Sequence, residues 1–311
     1  MTAAALGTSV KALAEGEMPM VTLGKSGLKV SRFCLGGYHM AVQGEENAIR
    51  VIHRAIDLGV NFLDSAAKYH NGRSDEIYGK AIDPARRKKV LLMSKAELRD
   101  RDGAMKQLET TLQRMKTDYL DLWQCHEVSR HDEVDKIFGP NGSLEAFVKA
   151  KKEGKVRHIG FTGHHDPTVH QRLLEGYDGW ETVQHPVNLI DPHYLSFITN
   201  FLPKAKAAGL GRIAMKSNAI GNITKHKVAA IEECLRFTWS QDIDTLVSGV
   251  QTTGELEQNV AVLKTLKKMN QGEISVLLHK TKQGQFGSKI ETYKKPQAGA
   301  HHRVHNDGDD V

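Results

Sequence analysis

The sequence predicts one α/β domain: a single (β/α)8 barrel with an N-terminal β-hairpin and a C-terminal tail. Three observations lead there. Short apolar, strand-like runs alternate with longer amphipathic runs from residue 20 to about residue 268, the order expected of parallel strands joined by helices. Eight such units fill the roughly 250 residues a barrel of this kind needs. The turn after the first strand, Gly36-Gly37-Tyr38-His39-Met40, lacks the G-x-G-x-x-G that a doubly wound nucleotide-binding sheet carries at that point.

Residues 21–30 (VTLGKSGLKV) hold a Gly-containing turn between two β-like pieces and predict a hairpin ahead of the repeat. The first strand is expected at 32–35, ended by Gly36-Gly37, with an amphipathic helix at 45–58. Strand two at 61–64 precedes a helix near 75–82, and strand three at 90–95 a helix near 104–115. Strand four at 119–126 is followed by a helix at 144–152, and strand five at 157–162 by one at 167–175. Strand six begins at 182–184, with a helix at 195–208. Strand seven (212–215, helix 227–240) and strand eight (245–250, helix 255–268) complete the set. The chain thus divides into a tail at 1–17, the barrel at 18–270 and a polar C-terminal tail at 271–311. The Gly-rich piece of that tail (QGQFGSK) is a candidate cover for the barrel mouth. His301, His302 and His305 near its end are read as part of a solvated tail, and no metal is expected.

Composition narrows the function classes. No apolar run approaches the roughly 20 residues that span a bilayer, so no membrane-embedded segment is expected. The net charge of +6 comes from scattered Lys and Arg, and the short basic runs are not interleaved with aromatics as single-strand nucleic-acid grooves are. Nucleic acid is therefore not an expected partner. Cys34, Cys125 and Cys234 are odd in number and far apart, forming neither a disulfide framework nor a CxxC site. The stretch TAAALGTSVKALA at residues 2–14 ends in Ala12-Leu13-Ala14, which resembles an A-x-A export cleavage site, although no basic region precedes it. A frayed tail and a trimmed leader remnant are both retained: cytoplasmic by default, exported or periplasmic if the leader is real. Oligomeric state is not legible.

The chemistry sits at strand ends. Catalytic groups of such barrels lie at the C-terminal ends of the strands. Those ends carry Asp64, Lys95 and His126 on strands two, three and four, with Tyr69 five residues beyond Asp64 in the second βα loop. Singly, each has an ordinary structural explanation. Together at successive ends they place an acid, an amine, an imidazole and a phenol in one mouth. A carbonyl accepting hydride develops charge on oxygen and must be protonated. A phenol with a pKa near 10 is a poor acid at neutral pH, and a nearby ammonium lowers that value. Tyr69 is expected as the acid–base, Lys95 as its tuner, Asp64 as the anchor of the lysine and His126 as the orienter of the substrate oxygen.

Asp64-Ser65-Ala66-Ala67-Lys68-Tyr69, followed by Ser74-Asp75-Glu76-Ile77-Tyr78-Gly79, resembles the D-[TS]-A-x-x-Y and S-E-x-x-[IL]-G signature of the aldo-keto reductases. Residues 91–95, 119–126 and 155–160 resemble three further motifs of that family in the right order, and the resemblance runs from about residue 22 to 264. It implies the same four catalytic roles and an extended nicotinamide dinucleotide, NADP(H) or NAD(H), across the mouth. Gly37, Tyr38 and Asp64 are then expected near that cofactor, and Gln184 matches the glutamine that holds the nicotinamide amide. The family's Ser-Asn pair appears here as Thr162-Gly163, with His164 a possible replacement for the lost asparagine. Met215 stands where an aromatic often stacks, followed by Lys216. Gly249, Gln251, Thr252, Glu255, Gln258 and Asn259 resemble the pyrophosphate and adenosine segment. The basic residues that usually grip a 2′-phosphate are missing from it, and Glu255 stands near their place.

The expected substrate is a small carbonyl compound or alcohol. Tyr38, His39, His70, Trp123, His164 and His165 around the mouth make a sugar one candidate. Two alternatives stay open: a redox-sensing, cofactor-binding subunit with slow or no turnover, and a redox-neutral epimerase that keeps its cofactor.

Overall fold

The computed structural model describes residues 16–283 and 289–295. Strands β1 (Met20–Thr22) and β2 (Lys29–Ser31) form the expected antiparallel hairpin. Eight parallel strands then close a barrel in chain order: β3 (Phe33–Leu35), β4 (Phe62–Asp64), β5 (Leu91–Ala96), β6 (Leu120–Cys125), β7 (Val156–Thr162), β8 (Thr182–Pro186), β9 (Gly211–Met215) and β10 (Thr245–Ser248). Pairing of Leu246 with Phe33 joins the last strand to the first. Closure removes the open edges that an eight-stranded sheet would otherwise expose.

Apolar side chains fill the barrel from its N-terminal end. Leu23 and Val30 of the hairpin segment pack with Cys34, Phe62, Met93, Leu122 and Ile213 from five different strands, and all seven are buried. The hairpin therefore plugs the bottom. Gly24 makes this possible: its φ is +45°, and a Cβ there would come within 2.2 Å of the Gly211 nitrogen. The mouth is left to the polar strand ends.

The helical layer comprises α1 (Glu45–Asp57), α2 (Arg73–Ala81), α3 (Pro84–Arg87), α4 (Arg101–Met115), α5 (His131–Phe138), α6 (Ser143–Lys152) and α7 (Pro167–Gly176). It continues with α8 (Phe197–Asn200), α9 (Leu202–Ala207), α10 (Asn222–Lys225), α11 (Ile231–Ser240), α12 (Thr253–Lys264) and α13 (Gln271–Gln283). Starts are set by side-chain caps where the sequence supplies them. Asp100 accepts from the Gly103 amide at 2.7 Å to open α4, and Asp166 accepts from the Thr168 amide at 2.9 Å to open α7.

Helices α3, α5 and α10 lie where no element was expected, and three of the expected elements take another form. The helix expected at 195–208 is two pieces, because Pro203 near the start of α9 has no amide to continue the ladder from α8. The helix expected from 227 begins at Ile231, after Lys227 adopts a left-handed φ of 56°. The segment expected to be a polar tail forms α13, whose Leu277 packs with Leu189, Ile190 and Phe237. Residues 289–295 then dock beside the barrel mouth, with the Lys295 amide donating to the His165 carbonyl at 3.0 Å. Residues 1–15, most of the Gly-rich piece, and His301, His302 and His305 lie outside the described residues.

Two buried histidines give the scaffold an acid limit. His170 on α7 and His185 on β8 are both 0% exposed among Phe161, Phe197 and Phe201. Burial lowers the His185 imidazole and pushes His170 down to about 3. The unfolded chain, with histidines near their ordinary value, therefore binds more protons than the folded one below about pH 6.5. Stability is full above that point and lost as pH falls toward 3. For His170 alone the loss between about pH 7 and pH 5 is roughly 2 kcal/mol. Urea midpoints should show His170→Leu losing less stability over that interval than the wild type; equal losses would refute the assignment.

Candidate active site

Strands β4, β5 and β6 are adjacent, with Asp64 opposite Met93 and Lys95 opposite Gln124. Their ends bring Asp64, Lys95 and His126 to one sector of the rim. Tyr69 opens a short turn, Tyr69–Gly72, in which His70 and Asn71 take left-handed backbone conformations. The turn lays the phenol back over the strand ends.

Lys95 is the hub. Its ammonium pairs with Asp64, donates to the Ser65 carbonyl at 2.8 Å, and donates to the Tyr69 hydroxyl oxygen at 3.2 Å. An ammonium has three protons, so these contacts use its full capacity. Asp64 and Lys95 are each 1% exposed. Burial raises the Asp64 carboxyl above the ordinary range, while the Lys95 ammonium and the Gly37 amide pull it back. Gly37 is needed for contact rather than for lining. A Cβ there would come within 2.1 Å of the Asp64 carbonyl oxygen.

A second layer holds this group in place. Ser65 donates to Asp75 at 2.5 Å, Thr111 donates to the other Asp75 oxygen at 2.9 Å, and Ser74 donates to the Gly37 carbonyl at 2.9 Å. Burial pushes the Asp75 carboxyl up to about 6, against those two hydroxyl bonds. The Ser74-Asp75 pair was visible in the sequence as part of a motif, but its task was not.

His126 packs edge-on to Tyr69, with ring centroids 5.6 Å apart. Burial, followed by the charges of Lys95, Lys68 and Arg99, holds its imidazole well below the ordinary histidine range, so the ring is neutral. A neutral ring keeps one N–H to offer a substrate oxygen. Arg99, unnoticed in the sequence, donates to the His126 carbonyl at 2.7 Å and to the Glu127 carbonyl at 3.2 Å. It fixes the loop that carries both residues.

Two cavities meet at Tyr69, Gln184, Met215 and Lys216. The larger, about 570 Å3, runs from Tyr38, Asp64 and Tyr69 past Gly249 to Gln251, Glu255, Gln258 and Asn259. The smaller, about 40 Å3, is lined also by Lys95, His126, Glu127, Thr162 and His164. Most sequence-predicted positions therefore border one continuous space. Of the mouth residues read as sugar contacts, His70, Trp123 and His165 line neither cavity, and Trp123 is buried against Phe147 with ring centroids 3.9 Å apart. Of the catalytic and cofactor positions, three do not line that space. Gly37 packs behind Asp64; Gly163 is pressed against the Val128 carbonyl; the Thr252 hydroxyl is turned to the Glu255 amide at 3.2 Å to cap α12. Glu127 in the smaller cavity was missed, though it directly follows the strand-end histidine.

The larger cavity suits an extended dinucleotide. At its inner end the Gln184 side-chain oxygen is buried without a hydrogen-bond partner among the described residues, as an acceptor for a carboxamide N–H would be. At the outer end the Glu255 carboxylate accepts from the Gln251 amide at 2.6 Å and the Thr252 amide at 3.3 Å. It therefore takes two of the amides just ahead of α12 that could otherwise face an anion. Gln251, Glu255, Gln258 and Asn259 line that end without a Lys or Arg among them.

A family model described as the Aldo/keto reductase family matches residues 32–227. YrpG of Bacillus subtilis (strain 168), an uncharacterised oxidoreductase, is 30% identical over 283 residues, covering 79% of this chain and 82% of that protein. YqkF of the same strain, also an uncharacterised oxidoreductase, is 34% identical over 152 residues, 45% of this chain and 47% of that protein, so this match spans about half of the relative. L-galactose dehydrogenase of Arabidopsis thaliana is 26% identical over 293 residues, 79% of this chain and 88% of that one. Among solved structures, the holo form of an aldo-keto reductase from Bacillus halodurans superimposes with a TM-score of 0.73 at 20% identity, covering 85% of this chain and 96% of that one. This last is a likeness of fold.

Proposed function

The chain belongs to the aldo/keto reductase family of NAD(P)H-dependent oxidoreductases, and from that premise we propose that it interconverts a carbonyl and an alcohol with Tyr69 as general acid and base. The observation that carries this reading is the single buried ammonium of Lys95 shared between Asp64 and the Tyr69 oxygen.

A reduced nicotinamide, when bound in the larger cavity, supplies the hydride. Gln184 would hold its carboxamide with Thr162 nearby; Met215 and Lys216 would flank it, and Gln258 and Asn259 would meet the adenine end. The remaining work falls to the protein. Tyr69 gives its hydroxyl proton to the carbonyl oxygen as charge develops there, and Lys95 stabilises the phenolate left behind. Asp64 keeps Lys95 placed. His126 donates an N–H to the same substrate oxygen and so resists charge build-up without adding a second cation. In the oxidative direction the phenolate takes the alcohol proton.

NAD(H) is the preferred cofactor in this reading. A 2′-phosphate at the outer end would meet the Glu255 carboxylate with no guanidinium or ammonium among the described residues lining that end to offset it. A sugar is the favoured substrate class, supported by the polar mouth and by a relative named for L-galactose oxidation. Steady-state assays of NADH and NADPH with aldehydes, ketones and keto-sugars test both points. Turnover is expected, with NADH bound at least about tenfold more tightly than NADPH, a difference of about 1.4 kcal/mol. Tighter NADPH binding by that factor would overturn the preference. Failure to oxidise either cofactor with any compound would overturn the reductase reading.

A further inference from the structure

The smaller cavity is lined by Tyr69, Lys95 and His126, which address the reacting oxygen. It is lined also by Glu127 and His164, to which the proposed chemistry gives no task. Glu127 sits in a left-handed backbone conformation, φ 49°, directly after the strand-end histidine. Lys68 donates to one of its carboxylate oxygens at 2.6 Å. The other oxygen stands 3.4 Å from Nε2 of His164. His164 itself is 8% exposed and packs edge-on against the Tyr293 ring, with centroids 5.4 Å apart.

We propose that Glu127 and His164 form a hydroxyl-recognition pair that selects carbonyl substrates bearing a hydroxyl on the adjacent carbon. The inference rests on the carbonyl-reductase reading and narrows its substrate class. Position supports adjacency. Glu127 is the residue after His126, and Glu127 and His164 line the same small cavity as Tyr69, Lys95 and His126. A substrate with its carbonyl oxygen at Tyr69 and His126 therefore brings the carbon next to the reacting one toward the pair. Charge supports a neutral hydroxyl. Lys68 already balances Glu127, burial holds the His164 imidazole well below the ordinary histidine range, and Lys216 lines the same cavity. A substrate carboxylate there would face Glu127, and a substrate ammonium would face Lys68 and Lys216. A hydroxyl can donate to the carboxylate and accept from the imidazole N–H at once. A deoxy substrate would leave that partly buried polar pair without its third member, the basis on which hydrogen-bonding sites reject analogues that lack a hydroxyl.

Paired substrates test it: glyceraldehyde against propanal, and glycolaldehyde against acetaldehyde. The wild type should favour the hydroxylated member of each pair in kcat/KM by at least about tenfold. Glu127→Ala and His164→Phe should each cut that ratio by about tenfold or more, while Glu127→Gln, which keeps an acceptor oxygen, should retain an intermediate ratio. If both members of a pair fall together and the ratio holds, the two residues are structural and the proposal fails. An unchanged ratio with a cofactor dissociation constant raised about tenfold would assign the pair to the nicotinamide carboxamide instead, also against it. A wild type that reduces all four aldehydes without preference refutes the inference while leaving the reductase reading intact. One that reduces none defeats both.

Discussion

Tyr69→Phe should lower kcat for carbonyl reduction by about 10²- to 10⁴-fold, the range over which a positioned general acid acts. The substitution removes one oxygen and leaves the ring that packs against Tyr38 and His126. It also removes one of the three acceptors of Lys95, while the Asp64 and Ser65 contacts remain. The ammonium therefore stays paired in its buried site, and the melting temperature should move by no more than a few degrees. That separation makes the variant informative. A comparable change at Lys95 would strand the buried Asp64 carboxylate and confuse lost chemistry with lost folding. Single-turnover rates with saturating cofactor measure the step directly. A Phe variant within about threefold of wild type would remove Tyr69 from the proton-transfer role. Undetectable turnover in both proteins would favour a cofactor-binding sensor, and the mutation would then be silent.

The parts of this site that were legible in the sequence are those set by local geometry. Alternation of strand and helix fixes which residues end strands, and strand ends fix what faces the mouth; Asp64, Lys95 and His126 follow from that rule alone. Tyr69 needed one further step, a loop short enough to fold back. What was hidden depends on contacts between distant segments. Glu127 is adjacent to His126 in sequence, yet its use depends on Lys68 and His164, 59 and 37 residues away. Helix α5 lies in a stretch read as loop, although Val134 and Ile137, three residues apart, bury one side of it. In α13 the i, i+3, i+4 pattern of Ile274, Leu277 and Leu278 was present, but Glu273, His279 and Lys280 around it masked the apolar face. Gly163 and Thr252 failed as lining residues for another reason: motif position gives the chain path, not the direction of a side chain. Tyr293 had no local signal at all.

The anchor of that last residue carries the second large effect. Lys294, fully buried, pairs with Asp191 at 2.8 Å and Glu291 at 2.7 Å and donates to the Tyr194 carbonyl at 2.7 Å. Asp191 in turn accepts from the Phe197 and Ile198 amides at the start of α8, and Glu291 accepts from Tyr293 and Asn188. Burial raises the Glu291 carboxyl, and the lysine opposes that shift. Lys294→Met keeps the length of the side chain and deletes the charge. If the segment stays docked, two buried carboxylates lose their common cation, at about 3–5 kcal/mol, and the melting temperature should fall on the order of 10 °C. If it undocks, the carboxylates are hydrated and the global loss is smaller. Tyr293 then leaves His164 and Lys216, so hydrogen exchange should speed up across 289–295 and kcat/KM should change with it. Adding Glu291→Gln to the Met variant should recover part of the stability, because one of the two stranded charges is gone. A melting temperature and an exchange pattern both unchanged in Lys294→Met would show that the buried charges do not hold the segment. The wall it gives the active site would then rest on its other contacts, among them the Lys295 amide on the His165 carbonyl, the Asn222 side chain on the Ile290 carbonyl and the Tyr194 hydroxyl on the Lys295 carbonyl.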